Sequence, residues 1–72
     1  MECAWVISEK KRDDSSIVYI AKRYQVIEYD SGGGCILSEN ANGHESENDV
    51  NELLDHLKEY YPNDQIIQKN AS

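Results

Sequence analysis

Cys3, Cys35, His44 and His56 are the soft, metal-ligating side chains of this sequence. Successive members are separated by 31, 8 and 11 residues, which matches no zinc-finger, ribbon or His-x-x-x-His spacing. His44-Glu45 has no second histidine four residues after the first, so a metalloprotease helix is not expected. Nucleophilic use of Cys35 would need a base, an orienting acid and a walled pocket of several hundred Å³. A 72-residue chain has little volume to enclose one. Ser31-Gly32-Gly33-Gly34 suggests a phosphate loop only at first sight. A strand-like Cys35-Ile36-Leu37 follows it instead of Lys and a helix, so the segment reads as a hairpin turn. No enzymatic activity, cofactor or metal is therefore expected. Both cysteines lie in apolar stretches and read as free structural thiols of a reducing compartment.

Charge is the stronger signal. The chain carries a formal charge of −7. Residues 1–25 hold five basic and four acidic groups, whereas residues 26–72 hold two basic and ten acidic ones. Such asymmetry bears on partners rather than fold. The acidic half repels phosphate, so direct nucleic-acid binding is not expected. It suits instead a basic surface on another protein, including one built to hold nucleic acid. Glu52, Asp55 and Glu59 lead the candidate contact residues, helped by Glu45, Glu47 and Asp49. Tyr24 or Tyr29 would supply desolvated anchors, since tyrosine favours half-wet surfaces and interface hot spots. The plainer alternative is that acidity keeps a small protein soluble.

These carboxylates need a scaffold. Cys3 to Ser8 is apolar and β-prone, with Trp5 and Ile7 on one face and Ala4 and Val6 on the other. Glu9 to Ser16 is a polar, mixed-charge turn region. Ile17 to Lys22 is a second strand, and Arg23 to Tyr29 continues the β composition. Ile17, Ile20, Ala21, Tyr24 and Ile27 also fall at helical spacing, but β-branched and aromatic content favours strand. One straight strand from Ile17 to Tyr29 would span about 43 Å. That exceeds the roughly 30 Å diameter of a compact domain of this size, so a bend, by a bulge or a tight turn around Lys22–Gln25, is expected. Asp30 to Gly34 should reverse the chain into a short strand, Cys35 to Ser38. Glu39 to Glu47 reads as a polar loop in which Asn42-Gly43 can take positive φ.

Ser46 and Asp49 resemble a capping box. Val50, Leu53, Leu54, Leu57 and Tyr61 then form the apolar stripe of an amphipathic helix that Pro62 ends. Asn48, Glu52, Asp55 and Glu59 cover its opposite face. Asp64 to Gln68 suggests a short last strand and Lys69 to Ser72 a disordered tail. The expected fold is α+β, a single small domain spanning 1–72. It comprises a small antiparallel sheet of three to four strands with one amphipathic helix on one face, in the order β-β-β-α with an optional C-terminal strand.

No apolar run approaches the roughly 20 residues that cross a bilayer, and the first residues lack a secretory leader. A cytoplasmic location is expected, in the host cytoplasm if the chain is phage-borne. In size, acidity and lack of a catalytic motif the chain resembles the small inhibitors encoded by bacteriophages and mobile elements. These include anti-CRISPR proteins and nucleic-acid mimics. The resemblance implies an inhibitor that occupies a basic surface of a partner protein. The alternative is a cytosolic accessory or regulatory protein that forms a homodimer through an edge strand in Ile17–Tyr29.

Overall fold

A computed structural model describes residues 2–68. The expected tail, Lys69 to Ser72, lies outside the described residues. The fold is α+β: a five-stranded mixed sheet with one helix packed against it. The elements are β1 (Cys3–Lys11), β2 (Ile17–Tyr29), β3 (Cys35–Leu37), β4 (Gly43–Glu47), α1 (Val50–Tyr60) and β5 (Gln65–Gln68).

Long, β-branched β2 organises the sheet. Along one edge it pairs antiparallel with all of β1, from Lys11 opposite Ile17 to Cys3 opposite Gln25. Along its other edge lie β4, against Tyr19 to Arg23, and then β3, against Val26 to Tyr29. Most of Ile17–Tyr29 is thus interior, which removes the expected edge-strand contact there. Among the described residues the free edges belong to β5, β3 and β4 and to the short stretches Ser8–Lys11 of β1 and Ile17–Val18 of β2, and short edges are poor templates for pairing.

Three local expectations are corrected. β2 runs unbroken through Lys22–Gln25, and its irregularity is a bulge between Val26 and Glu28. The expected bend holds for a spherical domain, whereas the molecule is 41 Å along its longest axis and 20 Å along its shortest. β1 extends through Glu9, Lys10 and Lys11, because pairing with β2 satisfies their backbone despite their charge. Gly43 to Glu47 is a strand instead of a loop for the same reason. Of the glycines only Gly33 has a positive φ, at 88°, in the tight turn between β2 and β3.

The first two connections, β1 to β2 and β2 to β3, are hairpins. The chain then leaves β4, runs back through α1 and enters β5 beside β1, in parallel. A parallel pair requires such a crossover. Paired residues share a face, so Trp5, Ile7, Tyr19, Ala21, Arg23, Glu45, Glu47 and Ile66 all lie on the side that α1 covers. Trp5, Ile7 and Ala21 pack there with Leu53 and Leu57, and Tyr19, Leu54, Tyr61 and Ile66 close the margins.

Gly43 sits in a tight part of this packing. A Cβ added to it would lie 3.1 Å from the Arg23 Cβ and 3.3 Å from the far edge of the Trp5 ring. Gly43→Ala should therefore cost about 1–2 kcal/mol through overpacking, read from chemical denaturation. An unchanged denaturation midpoint would contradict this packing.

Candidate functional site

The helix carries the leading carboxylates. Asp49 is the N-cap in extended conformation, and its side chain accepts the Asn51 N–H at 2.7 Å. Ser46, expected as the cap, lies in β4, and Asn48 precedes the helix. The cap role therefore passes from Ser46 to Asp49, with no capping box between them. Val50 to Tyr60 is helical, with Leu53 and Leu57 fully buried. Tyr61 donates its N–H to the Leu57 carbonyl at 2.8 Å, and Pro62 follows.

At 3.6 residues per turn, Glu52, Asp55 and Glu59 fall within about 60° of one another, opposite the buried stripe. All three are exposed and point away from the sheet. They place one carboxylate about every 5 Å along the axis, against 3.4 Å between phosphates along one DNA strand. Glu45 and Glu47 reach the same side from β4 and are half-buried. Glu45 faces the His56 ring at 3.6 Å, and that ring stacks on Tyr60 with centroids 4.6 Å apart. Among the described residues none of these six carboxylates pairs with a lysine or arginine. The positive end of the helix macrodipole favours Asp49 and Glu52 in the first turn.

The nearest guanidinium is engaged elsewhere. Arg23 Nε donates to Asp64 Oδ2 at 2.7 Å, and its Cζ sits 5.2 Å from the centre of the Tyr61 ring. Hydrogen bonding to Asp64 pushes the Arg23 pKa up, so the cation stays protonated and locked to its own carboxylate. Trp5 Nε1 donates to the same Oδ2 at 3.0 Å. The helix layer therefore keeps its negative field free of this arginine.

The six acidic candidates share one side, but the two tyrosines do not join them. Tyr24 pairs with Ala4 and lies half-buried on the uncovered face. Tyr29 reaches that same face, because the bulge inserts an extra residue after Val26. Its hydroxyl donates to the Glu2 carboxylate and accepts from Gln65 Nε2 at 2.6 Å. The Glu2 contact raises the Tyr29 pKa above its ordinary 10.0, because it favours the neutral phenol. Any stability it gives is present below pH 10 and lost as pH rises through the folded-state pKa. Glu2→Gln should bring the midpoint down toward 10.0 in an ultraviolet titration. An unmoved midpoint would contradict the hydrogen bond.

Sequence reasoning missed the apolar character of the uncovered face. Its signal lies in the apolar residues at both parities of β1 and β2, such as Trp5 and Val6 or Val18 and Tyr19. Among the described residues no group of three or more His, Cys, Asp or Glu is arranged to hold a metal. Cys3, which is buried, and Cys35 are free thiols. No helix among the described residues is long and apolar enough to cross a membrane. No protein-family model matches the chain, and neither a curated protein nor a solved structure matches it.

Proposed function

We propose that this protein is a small acidic binding module whose helix layer occupies a basic surface of a partner protein and so inhibits it. A groove that otherwise holds nucleic acid fits best, because it is basic, elongated and built to receive regularly spaced anions. One observation carries this reading: Glu52, Asp55 and Glu59 form an outward stripe on the helix, flanked by Glu47 and Asp49, and among the described residues none of them forms a salt bridge with a lysine or arginine.

Charge complementarity of this kind speeds encounter and fixes orientation. Exposed charges are screened over about 8–10 Å at physiological salt, so affinity should fall as salt rises. Tyr24 and Tyr29 are not part of this contact, which rests on the carboxylates.

The test is capture of binding proteins by the immobilised chain at low salt. It is run in parallel with the isosteric variant Glu52→Gln, Asp55→Asn, Glu59→Gln. Basic proteins eluted by salt from the wild type and absent from the variant support the reading. Identical capture by the two chains opposes it.

A further inference from the structure

Asn42-Gly43 is the sole asparagine–glycine pair of the sequence. Its composition suits a turn of positive φ, yet Gly43 keeps an ordinary φ and opens β4 opposite Arg23. Space favours glycine at this position, since a Cβ would lie 3.1 Å from the Arg23 Cβ and 3.3 Å from the Trp5 ring. The same missing Cβ leaves the Gly43 amide nitrogen unhindered toward the side chain that precedes it. Asn42 is exposed and stands in a bend just outside the strand, so water reaches its carboxamide. Every other asparagine of the chain precedes a residue that carries a Cβ.

We infer that Asn42 is a site of spontaneous deamidation, and that the isoaspartyl product unseats β4. The Gly43 backbone nitrogen gives its proton to a solvent base and bonds to Asn42 Cγ. The bond from Cγ to the side-chain nitrogen breaks, and that nitrogen takes up a proton and leaves as ammonia. Water then opens the resulting five-membered imide. Cleavage between the Gly43 nitrogen and Cγ gives aspartate, and cleavage between that nitrogen and the Asn42 main-chain carbonyl carbon gives isoaspartate. The net change is uptake of water and release of ammonia, with no oxidation or reduction. Isoaspartate routes the main chain through Cβ and Cγ, which lengthens it by one carbon between residues 42 and 43. The Asn42 N–H is tied to the Arg23 carbonyl at 2.7 Å, and Gly43 is paired with that same arginine. A longer link between them breaks one of these two attachments. β4 is five residues long and hydrogen-bonded to the sheet through β2 alone, so a displaced start loosens its pairing from Arg23 toward Glu45. The inference does not depend on the function proposed above, although Glu45 and Glu47 of that surface lie on this strand.

Ageing of the purified full chain in mildly alkaline buffer at physiological temperature tests this, with a parallel sample unfolded in urea. Peptide mapping by mass spectrometry locates each conversion and separates the aspartyl from the isoaspartyl product. In the native chain Asn42 should convert at least about tenfold faster than any other asparagine. Asn42→Gln, an exposed change whose ring closure would be six-membered, should abolish conversion at this position and leave the far-ultraviolet spectrum unchanged. Hydrogen exchange of the isoaspartyl form should show lost protection in β4 and retained protection where β1 pairs with β2. Asn42 intact in the native chain after full conversion in urea overturns the proposal, as does earlier conversion of another asparagine. An isoaspartyl form with β4 protected as in the unaged chain overturns the unseating of the strand.

Discussion

Asp64→Ala should cost about 3 kcal/mol of folding stability, one of the two largest single-residue losses expected in this molecule. The carboxylate accepts from the Trp5 indole at 3.0 Å and from Arg23 Nε at 2.7 Å, with a longer contact of 3.3 Å from Arg23 Nη2. Its side chain is only 9% exposed and that of Arg23 29%. Truncation leaves the indole N–H of the buried Trp5 without its acceptor, while the guanidinium, partly exposed, loses its carboxylate partner. Four parts of the fold meet at this point: β1 through Trp5, β2 through Arg23, the end of the helix through Tyr61, and the entry to β5. A chain of this length has roughly 4–11 kcal/mol in total, so such a loss removes a large fraction of it. Asp64→Asn keeps an acceptor oxygen but loses the charge, and its loss should be about half as large. Thermal unfolding gives the reading, at about 4–8 °C per kcal/mol for a domain of this size. Two variants indistinguishable from wild type would mean that the network contributes no net stability.

Leu57→Ala should cost a further independent 3 kcal/mol or so, within the 2–5 kcal/mol typical of buried leucine truncation. Leu57 and Leu53 are fully buried between the helix and Trp5, Ile7 and Ala21. In a core of so few residues the cavity has little surrounding structure to fill it. The half-buried Leu54 should lose only about 1 kcal/mol on truncation to alanine, and the exposed Tyr60 less. Because the anionic stripe is on the same helix, Leu57→Ala should also loosen its presentation. Chemical denaturation of the three alanine variants checks the ranking Leu57, Leu54, Tyr60. Equal losses at Leu57 and Tyr60 would contradict the docking of α1.

The helix was legible because Leu53, Leu54, Leu57 and Tyr61 recur at one-turn spacing and Pro62 marks the end. Its acidic outer face followed from the same arithmetic. β4 was not legible, since Gly43-His44-Glu45-Ser46-Glu47 has no β-branched or apolar residue. It is a strand because the far edge of β2 offers unpaired backbone groups there, a tertiary demand invisible in its own composition. This placed Glu45 and Glu47 on the helix side instead of in a loop. β5 was anticipated, but its parallel pairing with β1 depends on the path of α1 across the sheet. The tyrosines show a subtler limit. Steps of five from Tyr19 to Tyr24 to Tyr29 should alternate faces in a regular strand. The bulge adds one residue and returns Tyr29 to the face of Tyr24, away from the carboxylates it was expected to assist.

The central claim is that the helix stripe grips a basic protein surface. The most direct measurement is the affinity of a captured basic protein for the wild type and for the Glu52→Gln, Asp55→Asn, Glu59→Gln variant. Titration calorimetry at low and at moderately high salt gives both values, with duplex DNA added as competitor in a third arm. Three exposed charge pairs at about 0.2–1 kcal/mol each predict about tenfold weaker binding by the variant. A comparable loss with added salt and displacement by DNA are also expected. Equal affinities for the two chains, unmoved by salt and by DNA, would contradict the account.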